Sequence, residues 1–276
     1  MADFDRFARF YDLDYDPFQD DVAFYLGLAE HTGGPLLELG CGTGRLLVPL
    51  ARAGFEITGV DLSEGMLQVA RGKVAGGMLQ VARSPEAKRS GGGKVAELGR
   101  AAAERVTLVQ ADMRTVELPQ RFRLAFIAFN SFLHLTSLHD QLQALRAWHQ
   151  ALVPGGLLVI DVDNPNPQQL ADIDGRVELQ NQWFDPGTGA TVLKQVTRTL
   201  DAGRQVQHVL FIYDEVFPDG ELKRTLAPFD ARYLHRFEGE LLLDKAGFAL
   251  EQVYGSYDLD PFTSESDRMI FVARRR

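Results

Sequence analysis

The sequence predicts an α/β protein with a seven-stranded, mostly parallel sheet, helices on both faces, and an inserted antiparallel β-layer. Three observations carry this prediction: a glycine-rich turn after a short apolar run, repeated alternation of apolar runs with helical stretches, and a later block of alternating polar and apolar residues. Parallel strands that are buried on both faces are continuous apolar runs. Strands that alternate with helices imply right-handed crossovers in one parallel sheet.

The first half of the chain predicts the parallel core. It opens with an aromatic-rich helical leader over residues 1–32. Buried strands are predicted at Leu36–Leu39, Glu56–Asp61, Val106–Gln110, Leu124–Phe129 and Leu157–Val162. Helices are predicted at Arg45–Ala53, from Ser63 onward, and at Leu138–Leu152, where Val153–Gly156 ends the last one.

The second half predicts the β-layer and the end of the sheet. Alternating residues separated by glycine-containing turns indicate antiparallel strands. These are predicted at Val177–Gln180, Thr191–Thr199, Val206–Val216 and Glu221–Leu226. A helix at Leu234–Ala246 and strands at Ala249–Tyr254 and Met269–Ala273 then complete the core.

The glycine-rich turn predicts a nucleoside site. Gly40, Gly42 and Gly44 let the backbone approach a ligand that side chains would push away. Asp61 follows Gly40 by 21 residues, which places it at the tip of the neighbouring strand, where a bound nucleoside presents its ribose hydroxyls. Arg45 stands where a dinucleotide fingerprint has its third glycine, and no Gly-Lys-Ser/Thr follows to make a phosphate loop.

At these residues the chain resembles the class I S-adenosylmethionine-dependent methyltransferases. Glu38–Gly44 is similar to the first motif of that family, and Gly59–Leu67 carries the matching ribose acid. The resemblance implies a Rossmann-like core, S-adenosylmethionine as cofactor and S-adenosylhomocysteine as product. The leader and the inserted β-layer look like the small-molecule branch that contains aminosugar N-methyltransferases.

The resemblance also implies a set of cofactor residues. Asp61 would accept hydrogen bonds from both ribose hydroxyls, while Glu38 and the glycine turn would hold the methionine end. Asp112 would take the adenine amine and Met113 would meet the ring. The full predicted set is Tyr11, Tyr15, Glu38, Gly40, Cys41, Gly42, Gly44, Asp61, Leu62, Asp112, Met113, Asn130 and Ser131.

Several of these residues have a structural alternative. Tyr11 and Tyr15 match a stretch that closes over the cofactor in the family, but the same stretch could be a helix packed on the sheet. Glu38 could cap a helix N-terminus. Cys41, between two glycines, is expected to be a small packing residue rather than a nucleophile.

Methyl transfer is direct displacement at an activated carbon, so the protein mainly has to hold the acceptor in line, and no metal is required. His134 is the candidate base, because a neutral imidazole can take a proton near neutral pH; a core histidine is the alternative. An Asn-Pro-Pro-Tyr-like motif for methylating planar amines is absent. Acceptor-binding candidates, with solvated surface as the alternative, are Arg232, Tyr233, Arg236, Tyr254 and Tyr257.

Composition and charge limit the classes of partner and the cellular location that we expect for this protein. A net charge of −9 argues against nucleic acid, since proteins that grip phosphate backbones carry a basic face. No stretch approaches the roughly 20 apolar residues of a membrane span, and the N-terminus is no signal peptide. One cysteine excludes an internal disulfide and favours a reducing, cytoplasmic location. A small-molecule acceptor is expected, and the oligomeric state is open, with a homodimer as one option.

A repeated sequence indicates that residues 72–92 are an added segment. Gly65–Arg71 recurs as Gly77–Arg83, and Gly72–Ala75 recurs as Gly93–Ala96. Removing residues 72–92 leaves an uninterrupted helical run, whereas the paired glycines and Ser84-Pro85 would break a helix through the segment. A tandem duplication or an engineered graft explains the repeat.

The predicted organisation is therefore a leader or lid (1–32), a cofactor-binding core (33–175), a β-layer that covers the substrate (176–230), and a C-terminal helix with the last two core strands (231–276). The predicted activity is methyl transfer to a small-molecule nitrogen or oxygen. Three alternatives are a protein methyltransferase, a non-catalytic S-adenosylmethionine- or nucleoside-binding protein of the same fold, and, less favoured because of Arg45, a nicotinamide dehydrogenase.

Overall fold

Two sheets organise the chain. The computed structural model describes residues 4–6, 8–15, 18–83 and 101–276, with the side chains of all of these except 76–83. One sheet has seven strands in the order β10-β11-β5-β4-β1-β2-β3, and the other has four in the order β6-β7-β8-β9. Strands β1 to β5 run parallel, and β11 pairs antiparallel with both β5 and β10. The predicted fold class is confirmed.

The core strands are short and mostly buried, as their apolar sequences require. The seven-stranded sheet contains β1 (Leu36–Leu39), β2 (Ile57–Asp61), β3 (Val106–Gln110), β4 (Phe122–Ile127), β5 (Leu152–Asp163), β10 (Phe248–Tyr254) and β11 (Arg268–Arg275). The helices are α1 (Ala8–Tyr15), α2 (Val22–Thr32), α3 (Leu47–Arg52), α4 (Glu64–Arg83), α5 (Leu138–Ala151), α6 (Pro167–Ala171) and α7 (Arg236–Lys245). Short 3-10 turns form at Phe4–Arg6 and Ser131–His134.

The β-layer has the predicted antiparallel topology with longer strands. They are β6 (Glu178–Asp185), β7 (Ala190–Asp201), β8 (Val206–Val216) and β9 (Leu222–Arg232). Strand β9 continues past the predicted end at Leu226 even though it contains Pro228, which lacks a backbone donor. An edge strand tolerates proline, and β9 is the edge of this sheet.

One predicted strand boundary and one predicted helix break are wrong. Strand β5 begins at Leu152 rather than at the predicted Leu157 and passes through Val153–Gly156, while the preceding helix α5 ends at Ala151, as this segment predicted. The strand accommodates these residues as an irregularity: Gly155 has a φ of +74°, and the register with β4 shifts between Phe122 and Leu124.

Helix α4 continues through Gly76 and Gly77, where we expected it to break. A glycine costs only about 1 kcal/mol inside a helix, which the flanking helix-forming residues offset here. The other half of the predicted insert, residues 84–92, lies outside the described residues.

The leader packs against both sheets. Asp5 accepts hydrogen bonds from Ser63 Oγ (2.5 Å) and the Gly65 N–H (2.8 Å), and so caps α4. Toward the β-layer, the ring of Phe10 stacks on Tyr213 with centroids 4.5 Å apart. The leader thus lies between the two sheets. Within the described residues, no helix is long and apolar enough to span a bilayer.

Candidate active site

The glycine turn after β1 is held in a conformation that favours glycine. Gly40, Gly42 and Gly44 have φ values of +64°, +52° and +77°. At Gly40 there is also no room for a side chain, because a Cβ would lie 2.9 Å from Ser131 Cβ. The turns after β1 and β4 therefore meet at the same edge of the sheet, as the parallel topology predicts.

Asp61 ends β2 and binds the glycine turn directly. Its Oδ2 accepts the Gly42 N–H at 2.8 Å and its Oδ1 accepts the Ser63 N–H at 2.9 Å. Burial raises the pKa of Asp61, while these N–H donors oppose the rise. Each oxygen keeps a second lone pair that can accept a ligand hydroxyl. The next residue, Leu62, is 43% exposed at this edge.

Glu38 is a buried acid under the turn. The residue is only 4% exposed, and burial raises its pKa well above the ordinary value. Its Oε2 has no hydrogen-bond partner among the residues the structure describes. Because buried polar atoms are normally paired, this oxygen marks a place where a ligand donor fits.

Cys41 lies in the same turn as a packing residue. It is 5% exposed, and a Cβ on Gly59 would lie 2.9 Å from its Sγ. Burial raises the pKa of the thiol well above its ordinary value, so the neutral form dominates. A neutral thiol is a poor nucleophile, which agrees with the packing interpretation.

The acid after β3 is already paired. Arg114 donates to both carboxylate oxygens of Asp112 at 2.5–3.0 Å, and these bonds lower the pKa of Asp112. The Nη1 of Arg114 also donates to Asp140 at 2.9 Å. Sequence analysis missed this arginine, although the Asp-x-Arg spacing was visible. Met113 lies at the turn: its Cε is 3.7 Å from the position of a Cβ on Gly40, and its carbonyl accepts the Trp148 indole N–H.

The segment after β4 is clamped by the end of β5. Phe129 and Asn130 both have positive φ, at 51° and 69°. The Phe129 N–H donates to the Asp161 carboxylate at 3.0 Å. The Asn130 N–H donates to the backbone carbonyl of Asp161 at 3.1 Å. The Asn130 amide bonds both the N–H and the carboxylate of Asp163. Asp161 therefore supports a conformation that non-glycine residues rarely adopt.

Asp161, near the end of β5, connects several segments through its hydrogen bonds. It is fully buried and accepts further hydrogen bonds from Tyr257 Oη (2.9 Å) and Arg268 Nε (2.6 Å). One carboxylate thus joins β4, β5 and β11 at the edge where the glycine turn lies. No pattern along the chain indicates this role, since the partners are up to 107 residues away.

The leader covers this edge. Burial raises the pKa of Tyr11. The charge of Arg45 opposes this rise, whereas Asp61 and Glu38 add to it. The Tyr11 and Tyr15 ring centroids are 4.7 Å apart, so both rings belong to one cluster.

Arg45, directly after the glycine turn, connects this turn to the leader. Its guanidinium donates to both oxygens of Asp21 at 2.5 and 2.6 Å and to the Phe18 carbonyl at 3.1 Å. Asp21 is fully buried, so this bidentate pair fixes the leader to the residue directly after Gly44.

Comparisons with known proteins agree with this geometry. Residues 37–160 match a family described as a methyltransferase domain. The cypemycin N-terminal methyltransferase of a Streptomyces species is 26% identical over 244 residues, covering 88% of this chain and 84% of the relative. The CcbJ methyltransferase from Streptomyces caelestis is 25% identical, with a TM-score of 0.75 over 98% of this chain and 96% of that one.

The chain is an S-adenosylmethionine-dependent methyltransferase. A further solved structure, S-adenosylmethionine-bound CalS10, an amino pentose methyltransferase from Micromonospora echinaspora, shares the fold. It is 23% identical, with a TM-score of 0.64 and 96% coverage of both chains.

In this methyltransferase His134 lies between the leader and the β-layer. Its ring meets Phe4 edge-on at 4.8 Å and Phe229 at 5.3 Å, and its Nδ1 is 3.3 Å from the Asp230 carbonyl oxygen. Burial lowers the pKa of His134, and the Asp230 carbonyl opposes the change. A neutral ring that donates from Nδ1 leaves Nε2 as an acceptor.

The acceptor-binding candidates do not converge. Arg232 is 4% exposed and donates to Gln141, Gln205 and Glu238, so it joins β9 to α5 and α7. Arg236 pairs with Glu240 on its own helix. Tyr254 lies in β10, opposite Ile270 of β11.

The other two candidates lie closer to the edge that carries the glycine turn. Tyr257 binds Asp161, and Tyr233 lines a cavity of about 410 Å³ beneath the β-layer. The sequence analysis missed the cavity, because its walls come from segments far apart in the chain.

Proposed function

We propose that this methyltransferase transfers a methyl group to a nitrogen or oxygen of a small molecule bound beneath the β-layer. The observation that carries the proposal is the cavity of about 410 Å³, which is the size of a small-molecule site. Leu133, Asp163 and Tyr233 contribute to its lining, so it adjoins the clamped segment after β4.

The residues at the glycine turn fit the cofactor. The unpaired, buried Oε2 of Glu38 suits the ammonium of the methionine portion, and the Asp61 carboxylate suits two ribose hydroxyls. Gly42 offers open space, since a Cβ there would meet nothing within 4 Å. S-adenosylmethionine supplies a methyl group on a positively charged sulfur, which makes it a strong electrophile.

The chain's own residues then have three tasks. Met113 and the glycine turn hold the nucleoside in place. Tyr11 and Tyr15 exclude water from the edge, and Ser131 and Asn130 line the side that faces the acceptor. Tight placement of the two reactants is the main source of rate in a direct displacement.

His134 is the proposed proton acceptor. A hydroxyl or ammonium acceptor has to lose a proton, and burial keeps His134 neutral and able to take it at Nε2. The imidazole is oriented by the Asp230 carbonyl and by the rings on either side of it.

Nitrogen is the acceptor atom to test first. The Streptomyces relative is named an N-terminal methyltransferase and the CalS10 neighbour an amino pentose methyltransferase. Both names refer to acceptors with an amino group. Aminosugars and free amines therefore head the acceptor panel, with phenols and sugar hydroxyls as the oxygen counterparts.

The test measures S-adenosylhomocysteine release with this panel and identifies the methylated atom by mass spectrometry and NMR. We expect turnover of at least one small amine or alcohol. Asp61→Asn serves as the control, since it should reduce turnover of every acceptor. Turnover only on protein substrates, or none on any small molecule, contradicts the proposal.

A further inference from the structure

The wall that the β-layer contributes to the cavity carries an arginine with no anionic partner. Arg198, on β7, lines the cavity and is half-buried. Across the described parts of the chain, its guanidinium has no hydrogen bond and no ion pair. A guanidinium stays charged at all relevant pH values, and removing it from water without a partner is unfavourable.

Several charged side chains around Arg198 already have partners. Lys194, four residues earlier on the same face of β7, is buried and pairs with Asp14 of the leader. Of the four acids in the cavity lining, Asp163 binds Arg268 and Asp174 binds Arg176, whereas Asp172 and Glu178 are exposed to solvent. Of the two arginines in the lining, Arg198 is therefore the one without an anionic partner among the described residues.

Strand register relates this charge to the candidate base. Arg198 lies opposite Val209 of β8, and Val209 lies opposite Phe229 of β9. Residues that pair directly share a face, so the three side chains form one row across the sheet. Two strand spacings separate Arg198 from Phe229, which is about 10 Å between backbones. Phe229 packs against His134 at 5.3 Å.

We infer that Arg198 binds an anionic group of the acceptor, a carboxylate or a phosphate, and so selects small molecules that carry a negative charge a few bonds from the methylated atom. This inference rests on the proposed function and names its substrate class. An arginine fork matches both oxyanions in a bidentate way, and Gln207 and Tyr233 add polar groups to the same cavity. Leu133, the residue before His134, lines the same cavity, so an acceptor bound at Arg198 lies near the segment that carries the candidate base.

The first experiment compares matched acceptors that differ only in this charge. Amino acids and aminosugar acids are assayed against their neutral amides in the S-adenosylhomocysteine release assay. We expect the acid of a pair to have a kcat/KM about 10- to 100-fold higher, because a charge-assisted hydrogen bond is lost in the amide. Arg198→Met should abolish this preference, and Arg198→Lys should restore part of it.

Arg204→Met is the matched control, because Arg204 is exposed in the turn after β7 and does not line the cavity. It should leave the preference unchanged. Equal turnover of acids and amides by the wild type overturns the inference about Arg198 while leaving the small-molecule function intact. An absence of turnover with every small molecule contradicts the function itself.

A second measurement does not depend on turnover. Saturation-transfer NMR is run with benzoate and benzamide on the S-adenosylhomocysteine-loaded wild type, Arg198→Met and Arg204→Met. We expect benzoate to bind more tightly than benzamide, and this difference to disappear in Arg198→Met only. Benzoate binding that is undetectable, or equal in wild type and Arg198→Met, overturns the inference.

Discussion

The carboxylate of Asp61 accepts the backbone N–H of Gly42 across 2.8 Å, and this bond joins the ends of two adjacent strands. One acid thus shapes the glycine turn and retains lone pairs for a ligand. The arrangement makes the two tasks of Asp61 separable by experiment, because only one of them depends on the ligand's hydroxyls.

Asp61→Asn should weaken S-adenosylhomocysteine binding by roughly 1.5–3 kcal/mol, because a charge-assisted hydrogen bond is lost. Calorimetry with the 2′-deoxyadenosyl analogue of S-adenosylhomocysteine, which lacks one ribose hydroxyl, tests whether the lost affinity comes from the ribose. The wild type should prefer the ribose ligand, and Asp61→Asn should lose that preference. Asp258→Asn, at an exposed acid, is the control. An unchanged preference in a folded Asp61→Asn would refute the ribose assignment.

Gly40→Ala should destabilise the protein more than Gly42→Ala. Both positions have positive φ, but only at Gly40 would the new Cβ lie 2.9 Å from Ser131; at Gly42 it meets nothing within 4 Å. We expect an additional loss of roughly 1–2 kcal/mol in the free energy of unfolding, within the range for overpacked sites. Urea denaturation measures it. Equal losses would show that the turns after β1 and β4 do not touch.

His134→Phe tests catalysis with little change in packing, since Phe4 and Phe229 already surround the ring. If His134 is the base, kcat should fall by about 10²–10⁴ while cofactor affinity stays constant. His139→Phe, at an exposed histidine, is the control. Retention of kcat by His134→Phe on an acceptor that must lose a proton would identify a packing residue.

The same variant should change how stability depends on pH. Burial lowers the pKa of His134, so the unfolded chain binds a proton there more readily than the folded one. The stability that His134 contributes is complete above its unfolded pKa of about 6.5 and is lost as the pH falls through that value toward the folded pKa. Between pH 7.5 and 5.5 the wild type should therefore lose more unfolding free energy than His134→Phe does. Parallel losses would contradict the buried, neutral ring.

Deletion of residues 72–92 should give a folded protein with unchanged cofactor affinity. Lys73 of α4 binds Asp12 of the leader at 2.7 Å. In the shortened chain Arg71 is followed by Gly93 and Lys94, so Lys94 takes the place of Lys73. Lys94→Met in the shortened chain should then have the effect of Lys73→Met in the full chain, up to about 1 kcal/mol by urea denaturation. A shortened chain that does not fold would show that the repeated segment is required for the structure.

The sequence predicted the sheet well, because a parallel core depends on local signals. Apolar runs such as Leu36–Leu39 match the observed strand at both ends, and the spacing from Gly40 to Asp61 correctly placed two strand ends side by side. Boundaries failed where tertiary pairing overrides a local breaker. Gly155 lies within a strand, and Gly76 lies within a helix.

The polar network at the edge of the sheet could not be predicted. Asp161 gains its partners Tyr257 and Arg268 only when β11 folds beside β5, and no spacing along the chain encodes that contact. The cavity has the same origin, since Arg198 and Tyr233 reach it from different strands or loops. Periodicity reports which face of a strand is buried, but not what that face meets.

Cys41 gives this methyltransferase a built-in chemical reporter. It is the chain's single thiol, it is buried beneath the glycine turn, and burial keeps it protonated. Alkylating reagents reach it only when the turn opens, so the rate of alkylation measures local opening at that edge of the sheet. A cysteine introduced on the surface would react first, so spectroscopic labels can be attached without replacing the native residue.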